Sequence, residues 1–308
     1  MDGATFIRSL REAVGEPSGS QYLDTRTSYQ HGWEAATEIV RRTRCLKATQ
    51  TITTVAGTSS YTLNADFLQL DLRNADGNYI VKYNDGTNTS WIEFDEYDNI
   101  IYADETTSQS VPTRFTIKDK SSLYAQITGT ATSAGSSSGG LSVLTDASGV
   151  FLGTDYVSAG DIVHNITDGS SGVVLAVTDG THLNTAIFSN SSGAASSWES
   201  SDAYIIQPQG RLEIMFDPPL STSSHTVTVY YLQRPDPVFS DYGVYRLQSQ
   251  YIGKIVSYAA AKYKLADREP GTWDAFRKEW AASLGETARA MRNAFVRGGI
   301  TMSMKGAK

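Results

Sequence analysis

Four histidines, His31, His164, His182 and His225, come first, because imidazole titrates near neutrality and is the commonest metal ligand. None stands in a His-Glu-x-x-His spacing, which would set two nitrogens on one helix face. His164 and His182 lie near Asp161, Asp168 and Asp179, a set that would suit a metal in a β-domain. Turn aspartates more commonly cap their own backbone, so no metal is expected. Cys45 follows Arg44, where a lowered thiol pKa would make a nucleophile; a lone helical cysteine is more often simply packed. Asp95-Glu96 and Asp104-Glu105 pair carboxylates as a glycosidase does, yet adjacent acids on loops are ordinarily solvated. Gly135-Ser136-Ser137-Ser138-Gly139 has the Gly-x-Ser-x-Gly spacing but lies in a Ser/Gly-rich stretch rather than at a strand-to-helix elbow, and the chain has no Gly-x-x-x-x-Gly-Lys phosphate loop. The expectation is a protein without catalytic residues, metal or cofactor.

With 308 residues, 40% hydrophobic and 10% aromatic, the chain can bury a core of one or two domains. A single cysteine excludes an internal disulfide, and the absence of an 18-residue apolar run or a signal-like start predicts a protein with no membrane partner. The net charge of −7 hides a division: +1 over residues 1–49, −15 over 50–245 and +7 over 246–308. Two such regions are suited to different partners.

The elements that would position these residues fall in order. Phe6, Leu10 and Val14, with Ile7, recur at helical spacing up to Gly15, and Tyr29, Trp33, Ala36 and Val40 repeat the pattern, weakened by Gly32. Arg41, Arg42, Arg44 and Lys47 crowd the second helix's C-terminal end. From Thr49 the chain turns β-branched, with turns at Gly57, Asp76-Gly77-Asn78 and Asn84-Asp85-Gly86, which predicts a compact antiparallel β region. Residues 121–210 hold seven acids and no Lys or Arg, and within them Val157–Val163 and Trp198–Ile206 share a turn-Asp-strand order. Strands return at Arg211–Phe216 and Thr226–Tyr231 and stop at Arg234-Pro235-Asp236-Pro237. Two helical stripes close the chain: Ile252, Ile255, Val256, Ala259, Ala260 and Tyr263, then, after Pro270-Gly271 and a Thr272 cap, Phe276, Trp280, Leu284, Ala288, Met291 and Phe295. The predicted fold class is α+β. A helical bundle forms from the N- and C-terminal helices, with a central antiparallel β region and an inserted small β-barrel or sandwich domain. The expected divisions are 1–124 and 208–297 for the main domain, 125–207 for the insert and 298–308 for a flexible basic tail.

That order resembles the head-to-tail adaptor (connector) proteins of tailed bacteriophages. The patches that carry the resemblance are the N-terminal helical pair, Gly57–Phe67, Val111–Thr116, Ile214–Pro219, Val229–Pro235 and the helix bearing Tyr258–Tyr263. They cover residues 1–120 and 211–297. Asn64 stands where family adaptors often have proline, and the insert is a larger departure, similar to small β-domains grafted onto phage structural proteins.

The resemblance implies a virion neck protein made in the bacterial host cytoplasm. Its copies would form a dodecameric ring that joins the portal protein to a tail or nozzle protein and lets DNA pass without holding it tightly. Helical parts would pack side by side in the ring, and the C-terminal segment, residues 287–308, would reach the portal. Arg289, Arg292, Phe295, Arg297, Lys305 and Lys308 are the docking candidates, in a stretch with no acid. A solvated tail and a DNA-binding tail are the alternatives; five charges without interleaved aromatics give only salt-sensitive contact to DNA. The rival function is a glycan- or receptor-binding virion β-protein, supported by 17 Tyr, five Trp and the Ser/Gly-rich insert.

Overall fold

The computed structural model describes residues 1–16, 23–103, 111–120, 125–135, 137–138, 141–152, 157–209, 211–266, 274 and 276–290. The chain divides into two compact units, residues 1–45 with 238–308, and residues 46–237.

The first unit is helical. Helix α1 (Gly3–Val14) starts where Asp2 accepts the Thr5 N–H at 2.7 Å, and stops at Gly15, whose φ of 80° lets the chain turn back onto the Arg11 and Glu12 carbonyls. Helix α2 (Thr25–Thr43) is capped by Asp24 on the Thr27 N–H. Its last turn carries Arg41 and Arg42, with Arg42 held 2.6 Å from Glu38. Phe6, Leu10, Tyr29, Ala36 and Val40 are buried as their spacing predicts. Helix α4 (Ser249–Ala266) meets α1 and α2; Tyr263 reaches Ser28 Oγ at 2.8 Å, and Lys262 Nζ lies 3.3 Å from Glu34. Helix α5 (276–290) buries Trp280 and Leu284 and donates from Trp280 Nε1 to the Lys254 carbonyl at 2.9 Å. Met291, Phe295, Pro270, Gly271 and Thr272 lie outside the described residues.

Gly32 in mid-α2 is a packing residue rather than a flaw in the helix. A Cβ there would stand 2.1 Å from Tyr245 Oη and 2.8 Å from Phe6 Cζ. The phenol lies in this cleft with no hydrogen-bond partner among the described residues.

The second unit holds two sheets. In the first the order is β1 (Lys47–Thr53), β15 (Thr226–Gln233), β4 (Ile80–Asn84), β5 (Thr89–Phe94), β6 (Arg114–Asp119), β14 (Leu212–Asp217) and β2 (Ser60–Thr62), with β3 (Phe67–Leu70) also on β15. The turns at Gly57, Gly77 and Gly86 have φ of 77°, 90° and 93°, the left-handed region that glycine enters freely. The sheet curls so far that its edges meet through one side chain. Gln50 on β1 donates to the Thr62 carbonyl at 3.0 Å and accepts from the Asn64 N–H at 2.9 Å. Val81, Ile92, Phe115, Ile214, Val227 and Val229 fill the interior.

One expectation is corrected here. The region is not purely antiparallel, because β5 and β6 run parallel, pairing Glu93 with Arg114 and Phe94 with Phe115. A parallel neighbour needs a crossover, and part of it is a short helix, α3 (Tyr97–Ala103), that local patterning did not reveal.

The second sheet runs β7 (Ile127–Thr130), β13 (Ala203–Gln207), β10 (Ile162–Asn165), β11 (Ser170–Val177), β12 (His182–Ser189), β9 (Leu141–Thr145) and β8 (Ser137–Ser138). Beyond β7 the chain returns to β9, with the Thr132 N–H on the Thr145 carbonyl at 2.8 Å and a bridge from Ser133 to Thr145. The core centres on Trp198, whose indole N–H donates to Thr185 Oγ1 at 2.9 Å.

The two similar stretches form the same turn. Asp161 accepts the Ser158 N–H at 2.8 Å, and Asp202 accepts the Glu199 N–H at 2.7 Å. The residues before them, Gly160 and Ser201, have φ of 95° and 76°. Each turn is tied to a neighbouring strand by two backbone bonds of 2.8 Å, Gly160 and Asp161 to Val174, Ser201 and Asp202 to Ala131.

Two stability tests follow from the helical unit. Gly32→Ala should destabilise by about 1–3 kcal/mol through overpacking, and adding Tyr245→Phe should recover part of that loss in chemical denaturation; no recovery would exonerate the hydroxyl. His31, then Gln30 and Lys262, hold the Glu34 carboxyl down to about 2. A depressed carboxylate stabilises above its ordinary pKa and loses that contribution as pH falls toward the folded value. The melting-temperature advantage of the wild type over Glu34→Gln should therefore be full at neutral pH and vanish by about pH 2; an advantage that grows on acidification would contradict this.

Candidate functional site

The residues with chemical potential are each engaged in local structure. His31 lies 3.7 Å from Glu34 and edge-on to Tyr263. His164 Nδ1 meets Ser171 Oγ at 2.8 Å, His182 Nδ1 meets Asp179 at 2.9 Å, and His225 Nδ1 meets the Tyr83 hydroxyl. Asp179 also takes the Thr181 N–H, and that bond together with His182 holds its carboxyl down to about 2. Asp168 accepts from Asn165 Nδ2 at 3.3 Å. The set considered for a metal thus does not converge, and no group of three or more potential ligands occurs among the described residues.

Cys45 sits just beyond the end of α2, not within it, and burial pushes its thiol up. The thiol thus fits the packed reading rather than the nucleophile, because partial loss of water outweighs the hydrogen bonds from Thr43 and the Cys45 backbone. Asp95 is occupied by Asn99 and Arg114, which lower its pKa, and Arg114 also grips Asp217 across β6 and β14. Asp104 and Glu105 lie outside the described residues.

The most buried ion pair among the described residues is one that local motifs did not reveal. Arg211 is the first cation after the long stretch without Lys or Arg, and it is 3% exposed. Its guanidinium lies 2.6 Å from Asp161, which is fully buried, and donates at 2.8 Å to the Gln209 carbonyl. Asp161 further accepts the N–H of Ser158 and Gln209, each at 2.8 Å. Burial raises the Asp161 pKa, against the pull of Arg211 and those N–H groups. The pair joins the turn before β10 to the residue that opens β14.

Among the described residues, grooves border the second sheet. One of about 690 Å³ runs along β7 past Asp146, Val150 and Tyr204. A smaller one, about 310 Å³, lies between Leu63 and Leu152 beside Arg211. Glycan recognition commonly needs an exposed ring for stacking. The rings lining these grooves, Tyr204 and Phe151, are buried.

The charge division follows the structural units. The helical unit's chain segments carry 18 Lys/Arg and 12 Asp/Glu; the β unit carries 8 and 21. Of the docking candidates, Arg289 is exposed near the end of α5. Arg292, Phe295, Arg297, Lys305 and Lys308 lie outside the described residues.

Comparison with known families gives this arrangement its context. Residues 5–148 match the family model of the SU10 adaptor protein. The resemblance to phage head-tail adaptors is therefore shown over that part of the chain, and the matching family suggests a structural role. The match spans α1 to β9, takes in Gly57–Phe67 and Val111–Thr116, and continues past residue 125 into the opening strands of the second sheet. The patches after residue 211 fall outside it. No curated protein matches the chain. No helix among the described residues is long and apolar enough to cross a membrane.

The Arg211–Asp161 pair makes a direct prediction for this protein. Arg211→Met should cost about 3–5 kcal/mol in chemical denaturation, since it strands a buried carboxylate, and Asp161→Asn on top should return part of that. An Arg211→Met variant as stable as the parent would show that the charge is not held as described.

Proposed function

We propose that this protein is a phage neck adaptor whose copies assemble into a ring, dodecameric in the arrangement the family resemblance implies, between the portal and the tail. The observation that carries the reading is the family match over residues 5–148. In this reading the N- and C-terminal helices form a bundle that packs side by side around the ring. Residues 1–124 and 208–297 make the adaptor body, 125–207 an inserted domain and 298–308 a basic tail.

Charge supports a division of labour. The excess of acid in the β unit suits the lining of a channel that repels DNA phosphates and lets the duplex slide. The segment 287–308, basic and without an acid, suits an acidic portal surface, with Arg289, Arg292, Arg297, Lys305 and Lys308 supplying charge and Phe295 an apolar anchor. Docking of this segment would make ring formation wait until a portal is present.

The test is assembly. The full chain mixed with its portal ring should give a complex whose native mass corresponds to a closed ring of copies, and the chain ending at residue 286 should give none. A ring that forms equally well without residues 287–308 removes the docking assignment. Tight duplex DNA binding by the assembled ring at physiological salt removes the sliding-channel assignment.

A further inference from the structure

The groove along β7 has the chemistry of a strand acceptor. Ala131 spends both backbone groups on the 201–202 turn, donating to the Asp202 carbonyl and accepting from the Ser201 N–H, each at 2.8 Å. Antiparallel pairing alternates, so the Gly129 groups face Tyr204, while the N–H and C=O of Thr128 and Thr130 turn away from β13. The Ala203 carbonyl, which accepts from the Ile166 N–H on its other side, agrees with that phase. Among the described residues no strand pairs with this side of Thr128–Thr130.

Two residues later the same side of the chain is occupied, as Thr132 and Ser133 pair with Thr145. The barrel seam therefore closes at one end and gapes at the other, and the gap is the groove of about 690 Å³. Open edges are usually blunted by lysine, proline or a bulge. Ile127-Thr128-Gly129-Thr130 has none of these.

The groove's charge selects its occupant. Residues 121–210 contain seven acids and no Lys or Arg, so a cationic segment meets no like charge from within this stretch. Asp146 lines the groove, accepting the Tyr204 hydroxyl at 2.7 Å and the Ser148 N–H at 2.8 Å. A carboxylate with two donors keeps acceptor capacity for a third. Gly129 lies directly over this pair, where a Cβ would stand 2.4 Å from Tyr204 Oη and 2.8 Å from Asp146 Oδ2.

We propose that β7 is the acceptor edge for an extended, Lys- or Arg-bearing segment of a partner protein, which adds as a further antiparallel or parallel strand along Thr128–Thr130 and sets a cation beside Asp146. Main-chain bonds would supply affinity and the carboxylate would supply selection, as in other strand-addition complexes. The site contains no residue of the portal-docking segment, and its test does not depend on ring formation.

The experiment uses the full chain and an acetylated peptide of alternating valine and lysine. Amide hydrogen exchange at Thr128 and Thr130 should slow by about tenfold or more on saturation, with Gly129 little changed. The valine–glutamate counterpart should bind about tenfold more weakly or worse. Thr128→Pro removes an outward N–H while leaving the β13 ladder intact, and should weaken the lysine peptide to a similar degree. Unchanged exchange at Thr128 and Thr130, or equal binding of the glutamate peptide, would overturn the proposal even if the proline variant failed to fold. Protection that rises with protein concentration in the absence of peptide would also overturn it, by assigning the edge to a second copy of the chain.

Discussion

The two sheets of the β unit are tied by a charge pair buried between them. Arg211 belongs to the first sheet by its backbone, where its carbonyl accepts from the Lys120 N–H at 3.1 Å, and to the second by its side chain. Hydrophobic contact is non-directional and would tolerate a range of relative placements. A guanidinium facing a carboxylate that also holds two backbone N–H groups tolerates few. Burying such a pair gains little net stability over an apolar pair of similar shape, because both ions lose water. Its contribution here is orientation: with Asp161 fixed by its own turn, few arrangements keep Arg211 in reach of both its carboxylate and the Gln209 carbonyl.

Both sheets meet the same difficulty at their ends, and both meet it with few bonds. Exposed edges template unwanted pairing. The first sheet hides its edges by curling until Gln50 spans the seam with one amide, using both its donor and its acceptor. The second does so with a bent segment that leaves β13 after β7 and joins β9 at Thr145. That economy leaves the second seam partly open, and the open part is where the backbone still has bonds to offer.

Much of this was legible in the sequence, and the exceptions share a cause. Helices α1, α2 and α4 were marked by apolar spacing, and Gly15 is a local stop signal that the structure uses directly; the Asp2 and Asp24 caps went unread. The glycine turns likewise depend on only a few neighbouring residues. What was not legible depends on partners distant in the chain. The parallel register of β5 and β6 has no local signature, and α3 is too short to show a period. Asp161 was visible as a turn residue, but its counter-ion lies fifty positions away. Gly32 looked like a weakness because the phenol that requires it comes from Tyr245. The pair of similar turns was a correct hint, too short in sequence to separate from coincidence until their matching bonds to Val174 and Ala131 were seen.

The points where the chain leaves and re-enters the first sheet have a kinetic meaning. Asp119 at the end of β6 pairs with Leu212 at the start of β14, so neighbours in space are separated by the whole second sheet in sequence. For an unfolded chain, closing so long a loop costs about 3 kcal/mol more than closing a short turn, by the logarithmic growth of loop entropy. Once the second sheet has folded, its ends lie side by side and the same pairing becomes as local as a hairpin. Loop entropy therefore favours pairing β6 with β14 after the second sheet has formed, with Arg211 at the junction of the two.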